Sequence, residues 1–341
     1  MLQINRHSGR VGCDGIYRSW EEIEQSFKDS FEENIKIRLN NKAKEERDVT
    51  CREFILWCKD NTSTWLTATP KKLEEEKELI DGKLDDLKRS LSETFTTPEK
   101  RDKKVDELLD VIETCYGYKH ADLVELAGWL NVKTCPYCNM QYTMYTIVDT
   151  IDGEPVQERA MFQYDHFYPK SAYPMLSMSL YNLIPSCASC NQNKSYNKIL
   201  GLEFHPYCSN IKNYLHFQVK DPLPLWVGKR KENEIEIETI FDKGVDSHEF
   251  EKAFHVAALY KNHKDIAHEV FARAYEEFYY SNGKNFGFLD DAKFAERLRK
   301  GFYPDEDAIE LRPLTKLQQD LWKQAKQIYK TSSKRANEKK R

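Results

Sequence analysis

The sequence has no uninterrupted apolar run approaching the ~20 residues that cross a bilayer. Its opening stretch, "MLQINRHSGRVGCDG", lacks the apolar centre of a secretory signal. Together these absences predict a soluble, cytoplasmic protein with no membrane partner. Net positive charge is missing too: 52 Lys and Arg stand against 56 Asp and Glu, a formal charge of −4. The field of the whole protein therefore offers a polyanion no general attraction, and any nucleic-acid contact must come from a local basic surface. The nine cysteines are an odd number, and in a reducing cytosol disulfides do not organise them.

The chain is 341 residues long and 40% hydrophobic, enough for two or three domains with real cores. Its charged fraction of 32% suits long solvated helices. The expected fold is mostly α with a small α+β insert. Residues 1–130 read as an N-terminal helical region, with few glycines after residue 18 and abundant Glu and Lys. Leu73, Ile80, Leu84, Leu87 and Leu91 form one apolar stripe on a long helix interrupted only by Gly82, which predicts a helical hairpin. Thr97 is a candidate cap with Pro98 in the first helical position.

The texture changes at Lys133. "QYTMYTIVDT" and "VQERAMFQYDHF" are rich in β-branched and aromatic residues around a turn at Asp152-Gly153, so a hairpin is expected whose second strand ends at Asp165-His166. "LYNLIPS" predicts a third short strand, followed by a small helix from about Cys187 to Lys194. Residues 216–245 read as a strand pair. Residues 246–341 read as a C-terminal helical region, in which Phe250, Phe254, Ala257, Tyr260, Ala267, Phe271, Ala274 and Phe278 keep to one face, ending in a basic, frayed tail.

Five cysteines, at 13, 51, 58, 115 and 208, are scattered singly and read as small core residues or inert thiols. The other four form two C-x-x-C pairs, Cys135/Cys138 and Cys187/Cys190, the spacing that closes two thiolates on one tetrahedral Zn²⁺. A redox role for such pairs needs a thioredoxin-like βαβ context, which the pattern does not offer. A four-thiolate site has no open coordination position, so this zinc is expected to be structural and the chemistry must lie beside it.

Between and just after the pairs stand Asp165-His166, Asn182 in "YNLIPSC" and Asn191 in "CASCNQNKS". D-H, then N-L, then C-x-x-C-N-x-x-K resembles the HNH endonucleases, the ββα-metal nucleases, in the subgroup pinned by a four-cysteine zinc. The resemblance implies a ββα-metal nuclease domain over residues 131–215, flanked by helical regions. Physical chemistry fits: a neutral imidazole can take a proton from water at cellular pH, which makes His166 the expected general base. Asp165, on the opposite face of the strand end, offers a hard oxygen ligand to Mg²⁺ or Mn²⁺. The resemblance implies Asn191 as a second oxygen ligand and Asn182 as the residue that holds the loop and orients His166; the plain alternative for Asn182 is a turn residue.

Lys170 and Lys194 stand close enough to the motif to contact phosphates, or are solvated surface lysines. His205 is either a further ligand or phosphate contact or a structural histidine. Phe162 and Tyr164 read as core by alternation, and Tyr168 and Tyr173 as loop residues available to a substrate.

Beyond the motif, "DHFYPKSAYPMLSMSLYNLIPSCASCNQNKS", "FHPY" and "LYKNHKDIAHEV" resemble the nuclease subunit (PtuB) of Septu-type anti-phage systems, also found beside retrons. That resemblance implies an ABC-type ATPase partner (PtuA-like), with the helical flanks as docking surfaces, and DNA as the substrate. RNA such as tRNA, cut by the same site, and a non-catalytic zinc module that binds nucleic acid are the alternatives.

Overall fold

The structure, a computed structural model, describes residues 4, 9–118, 123–151, 154–194, 199–208, 215–242, 244–281, 296–297 and 300–338. The expected turn at Asp152-Gly153 lies outside them. The chain is mostly helical with a few short strands and divides into two compact units. One comprises Gln3–Val132 and Thr143–Ser209; the other comprises Met1–Leu2, Lys133–Tyr142 and Asn210–Arg341.

The first unit opens with a short antiparallel pair, β1 (Arg10–Val11) and β2 (Tyr17–Arg18). Helix α1 (Trp20–Glu45) then starts at a capping box: the Ser19 hydroxyl accepts from Glu22 N, and the Glu22 carboxylate accepts from Ser19 N. Two orphan amides are thereby satisfied reciprocally. Helix α2 (Val49–Leu66) is capped by Asp48, which accepts from Cys51 N at 3.0 Å. Proline begins both α3 (Pro70–Thr94) and α4 (Pro98–Tyr116), where its missing N–H is an orphan anyway. Thr97 does occupy the cap position of α4, but its side chain makes no capping bond.

The expected stripe on α3 is buried at Leu73, Ile80, Leu87 and Leu91, while Leu84 is half-buried. α1–α4 pack against one another rather than forming an isolated hairpin. Glu76, inside that core, is tolerated because Trp65 Nε1 donates to it at 2.9 Å and Lys72 lies 3.1 Å away. A fifth helix, α5 (Val124–Leu130), closes with Asn131 in the left-handed region.

The strands depart from the expected hairpin. β3 (Tyr145–Ile151) and β4 (Glu154–Ala160) pair with each other and stop there. Asp165 and His166 belong instead to β5 (Gln163–His166), which pairs antiparallel with β6 (Leu183–Ser186), setting Asp165 opposite Ile184 and His166 opposite Leu183. Met161-Phe162 separates the two sheets, so the run of alternating residues is two strands and not one. Helix α6 (Ala188–Lys194) follows directly. The loop joining β5 to β6 is packed, with Met175, Leu176, Met178, Leu180 and Tyr181 fully buried against α2, α3 and α4. The N-terminal helices thus form the seat of this loop.

In the second unit β7 (Leu215–Val219) pairs antiparallel with β8 (Ile237–Phe241), and a short helix α7 (Leu223–Trp226) lies between them in sequence. The apolar face expected after residue 246 is divided among α8 (His248–Phe254), α9 (Val256–Tyr260) and α10 (Lys264–Glu276), because His255 takes a left-handed conformation (φ 51°) that ends α8. Helix α11 (Thr315–Glu338) continues through part of the expected frayed tail. It completes the β7 edge with side chains: Asp320 accepts from Phe217 N at 3.0 Å, and Gln324 accepts from Val219 N and donates to Val219 O, both at 2.9 Å. Backbone groups that lack a partner strand are satisfied this way.

Candidate functional site

The two C-x-x-C pairs are shaped differently. Around Cys135 the chain makes a tight turn closed by a bridge between Thr134 and Tyr142, and by Cys135 N donating to Gln141 O at 2.9 Å. Asn139, just after Cys138, has φ 51° and donates its N–H to Cys135 O; the next amide, Met140 N, points at Cys138 Sγ at 3.4 Å. An Asn tolerates the left-handed region at modest cost. Here its amide is fully used: Nδ2 donates to Thr134 Oγ1 and Ile309 O, and Oδ1 accepts from Lys316 N. The second pair sits at the start of α6, where Asn191 N donates to Cys187 O at 3.0 Å, so Cys187 and Cys190 share one helix face.

All four thiols are buried and free of disulfides, and their sulfur atoms lie within 4.8 Å of one another. A tetrahedron with Zn–S of ~2.3 Å has sulfurs about 3.8 Å apart. Closing the cluster on an ion thus needs shifts of under about 1 Å per pair. Four soft donors at this spacing fit a metal such as zinc.

Asp165, His166, Lys170 and Asn191 line one cleft of about 650 Å³ together with Tyr118, Gln163, Tyr164, Pro169 and Gln192. His166 and Lys170 also border a neighbouring cavity of about 600 Å³ with Asp110 and Glu113 of α4, Tyr116, Tyr118 and Ser177.

The His166 ring nitrogen Nε2 lies 3.1 Å from Ser177 O. A carbonyl only accepts, so this contact places the ring proton on Nε2 and leaves Nδ1 with its lone pair. Burial pushes the imidazole from 6.5 down to about 4, against the opposing pull of Asp165, while Lys170 and Lys194 push the same way as burial. His166 is therefore neutral at cellular pH.

Asn182 is fully buried, and its Oδ1 accepts from Tyr168 N at 2.7 Å. Its Nδ2 donates to Tyr168 O at 3.1 Å and Leu176 O at 2.9 Å. It spans the loop that carries Ser177, and through Ser177 it acts on His166. Asn191 donates from Nδ2 to Gln163 Oε1 at 2.7 Å, which leaves Oδ1 with its acceptor capacity.

Three expectations about substrate contact fail. Lys194 is buried to 1% exposure, and its ammonium is taken by the Asp165 carboxylate (2.9 and 3.2 Å), His166 O (2.5 Å) and Phe167 O (3.0 Å). All three of its donors are committed inside the protein, so it presents nothing to a phosphate. His205 is buried as well: its ring packs on Phe167 with centroids 4.2 Å apart, and Nδ1 accepts from Tyr207 N at 3.3 Å. It is a structural histidine. Tyr168 and Tyr173 are buried against each other, and Tyr173 donates to Asp81 of α3. Lys170 remains at the cleft, half-exposed and 3.0 Å from Glu113.

No protein-family model, curated protein or solved structure matches the chain. Function must be argued from the side chains themselves. Sequence reasoning missed Gln163, Ser177, Tyr118 and Glu113. Gln163 carried a signal, since it stands two residues before Asp165 on the same strand face. The other three are brought in by tertiary packing and carried none.

Proposed function

We propose that the chain is a metal-dependent endonuclease of the HNH, ββα-metal type that hydrolyses phosphodiester bonds in DNA, with a structural zinc on Cys135, Cys138, Cys187 and Cys190. One observation carries the reading: a carboxylate, a neutral imidazole and a carboxamide, from Asp165, His166 and Asn191, line a single cleft. The order strand, strand, short helix in β5, β6 and α6 supports it, with Asp165 and His166 at the end of the first strand and Asn191 in the helix.

In this reading His166 Nδ1 takes a proton from water, while the Ser177 carbonyl holds Nε2–H and so fixes the tautomer. A base pushed down to about 4 is weak, but it is never lost to protonation near neutrality. A phosphate anion entering the cleft raises it again by favouring the imidazolium, just when the proton must be accepted. The Asp165 carboxylate and the Asn191 Oδ1 are hard oxygen donors suited to Mg²⁺ or Mn²⁺. When bound, such an ion supplies a Lewis acid for charge on the phosphate and the leaving oxygen. Lys170, released from Glu113, contacts a neighbouring phosphate at the cleft mouth.

A formal charge of −4 gives the protein little general pull on DNA. That fits a nuclease that depends on a partner to engage its target; the resemblance to the Septu nuclease subunit makes this the effector of a bacterial anti-phage complex and the partner an ABC-type ATPase. The test incubates the purified chain with plasmid, linear duplex, single strands and tRNA in Mg²⁺ or Mn²⁺, with and without the product of the neighbouring gene. Metal-dependent DNA cleavage that disappears in His166→Ala is the expected result. Wild-type cleavage rates in His166→Ala refute the mechanism, and cleavage confined to tRNA moves the substrate to RNA.

A further inference from the structure

A lysine at 1% exposure is unusual, and it persists only where its charge and its donors are met. Lys194 meets both needs at one point: two bonds to the Asp165 carboxylate and one each to the carbonyls of His166 and Phe167. The Phe167 ring, with its centroid 5.6 Å from the ammonium, covers it further. The ion pair is thus sealed on the Lys194 side, at 2% side-chain exposure, while Asp165 also borders the cleft. A cation approaching Asp165 from the cleft meets a carboxylate already neutralised from behind.

We propose that Lys194 is a built-in counter-cation: a positioning residue that holds the Asp165 carboxylate and the backbone under His166 in place before any metal arrives, and that weakens divalent-metal binding at Asp165. The inference rests on the reading of Asp165 as a metal ligand. It has two separable parts. Electrostatic repulsion between the ammonium and an incoming divalent ion lowers metal affinity, so the ion is held loosely enough to exchange. The bond to His166 O anchors the chain at the base, so the ring keeps its aim whether or not metal is present.

The experiment uses the full-length chain and Mn²⁺ alone as the probe, measuring free Mn²⁺ by electron paramagnetic resonance and zinc content by atomic emission. Wild type, Lys194→Met and Asp165→Asn are compared, and plasmid cleavage is measured at saturating Mn²⁺. Lys194→Met is expected to keep its zinc and to bind Mn²⁺ roughly tenfold or more tighter, since a like charge a few Å away is gone. Its cleavage rate at saturating Mn²⁺ is expected to fall at least about tenfold, because the backbone of His166 has lost its anchor. General misfolding lowers affinity and rate together, so the opposite signs set a positioning role apart. If Lys194→Met loses zinc, Lys194→Gln carries the same comparison with a neutral side chain that still donates to a carbonyl. Mn²⁺ affinity equal to or weaker than wild type in a zinc-retaining variant, with binding still abolished by Asp165→Asn, overturns this inference alone. Mn²⁺ binding that is absent from wild type, or indifferent to Asp165→Asn, overturns the reading of Asp165 as a metal ligand and this inference with it.

Discussion

Asn182→Ala tests whether one buried carboxamide holds the loop between β5 and β6 in place. The side chain is fully buried and makes three bonds, to Tyr168 N, Tyr168 O and Leu176 O. Truncation leaves one amide and two carbonyls without their partner, at ~1–3 kcal/mol for each buried group that stays unsatisfied. Water entering the vacated space recovers part of this, so a loss of ~3–5 kcal/mol is expected rather than the full sum. The loss is local, because all three bonds lie within the segment from Tyr168 to Asn182. Hydrogen–deuterium exchange is the direct assay: at ~1.4 kcal/mol per tenfold, peptides covering residues 168–182 should exchange roughly 100-fold or more faster. α10, which belongs to the other compact unit, should exchange as in wild type. The same variant loosens Ser177, the acceptor for His166 Nε2, so under the proposed function cleavage should fall while zinc content stays whole. Exchange within about threefold of wild type over 168–182 would mean that apolar burial of Met175, Leu176 and Leu180 holds the loop unaided, and the role given to Asn182 is wrong.

Three further outcomes follow from single features. His166 sits near 4 when folded against 6.5 when free, so between these values the unfolded chain binds the extra proton. Stability is therefore full above pH ~6.5 and falls by up to ~3 kcal/mol as pH drops towards 4, with the fall absent in His166→Ala when urea unfolding is compared across that window. Cys190→Ser should remove the zinc measured by atomic emission and lower solubility, whereas His166→Ala should keep the zinc; equal zinc in the Ser variant refutes the four-thiolate site. Gln324→Ala should strip both caps from Val219 and cost ~1–2 kcal/mol in thermal unfolding, and a change too small to measure shows that water serves the β7 edge equally well.

Much of the candidate site was legible because its chemistry is local. C-x-x-C places two thiols together by backbone geometry alone, and Asp165-His166 puts a carboxylate and an imidazole on opposite faces of any strand. Asn182 and Asn191 were marked out only by the resemblance of the whole motif to the HNH endonucleases. The lysines were not legible. Lys170 and Lys194 look alike in sequence, yet one is at a cleft mouth and the other is sealed beneath Asp165. Which lysine faces solvent depends on what packs over it, and that is set by Phe167 and the strand end, not by neighbours in the chain. His205 was ambiguous for the same reason until Phe167 was seen to cover it.

The strands show the same division. Alternating residues from Gln157 to His166 satisfy the pattern of one strand, and only pairing reveals a break at Met161-Phe162 and a separate partner for β5. By itself the sequence determined the helical character, the prolines that start α3 and α4, the four thiols and the candidate base. Tertiary structure decided which groups meet: the Ser177 carbonyl that sets the His166 tautomer, the Asn182 bonds that hold the loop, and the Lys194 ammonium behind Asp165. Propensity and spacing act over a few residues, whereas burial and charge compensation are properties of whatever the fold brings within a few ångströms.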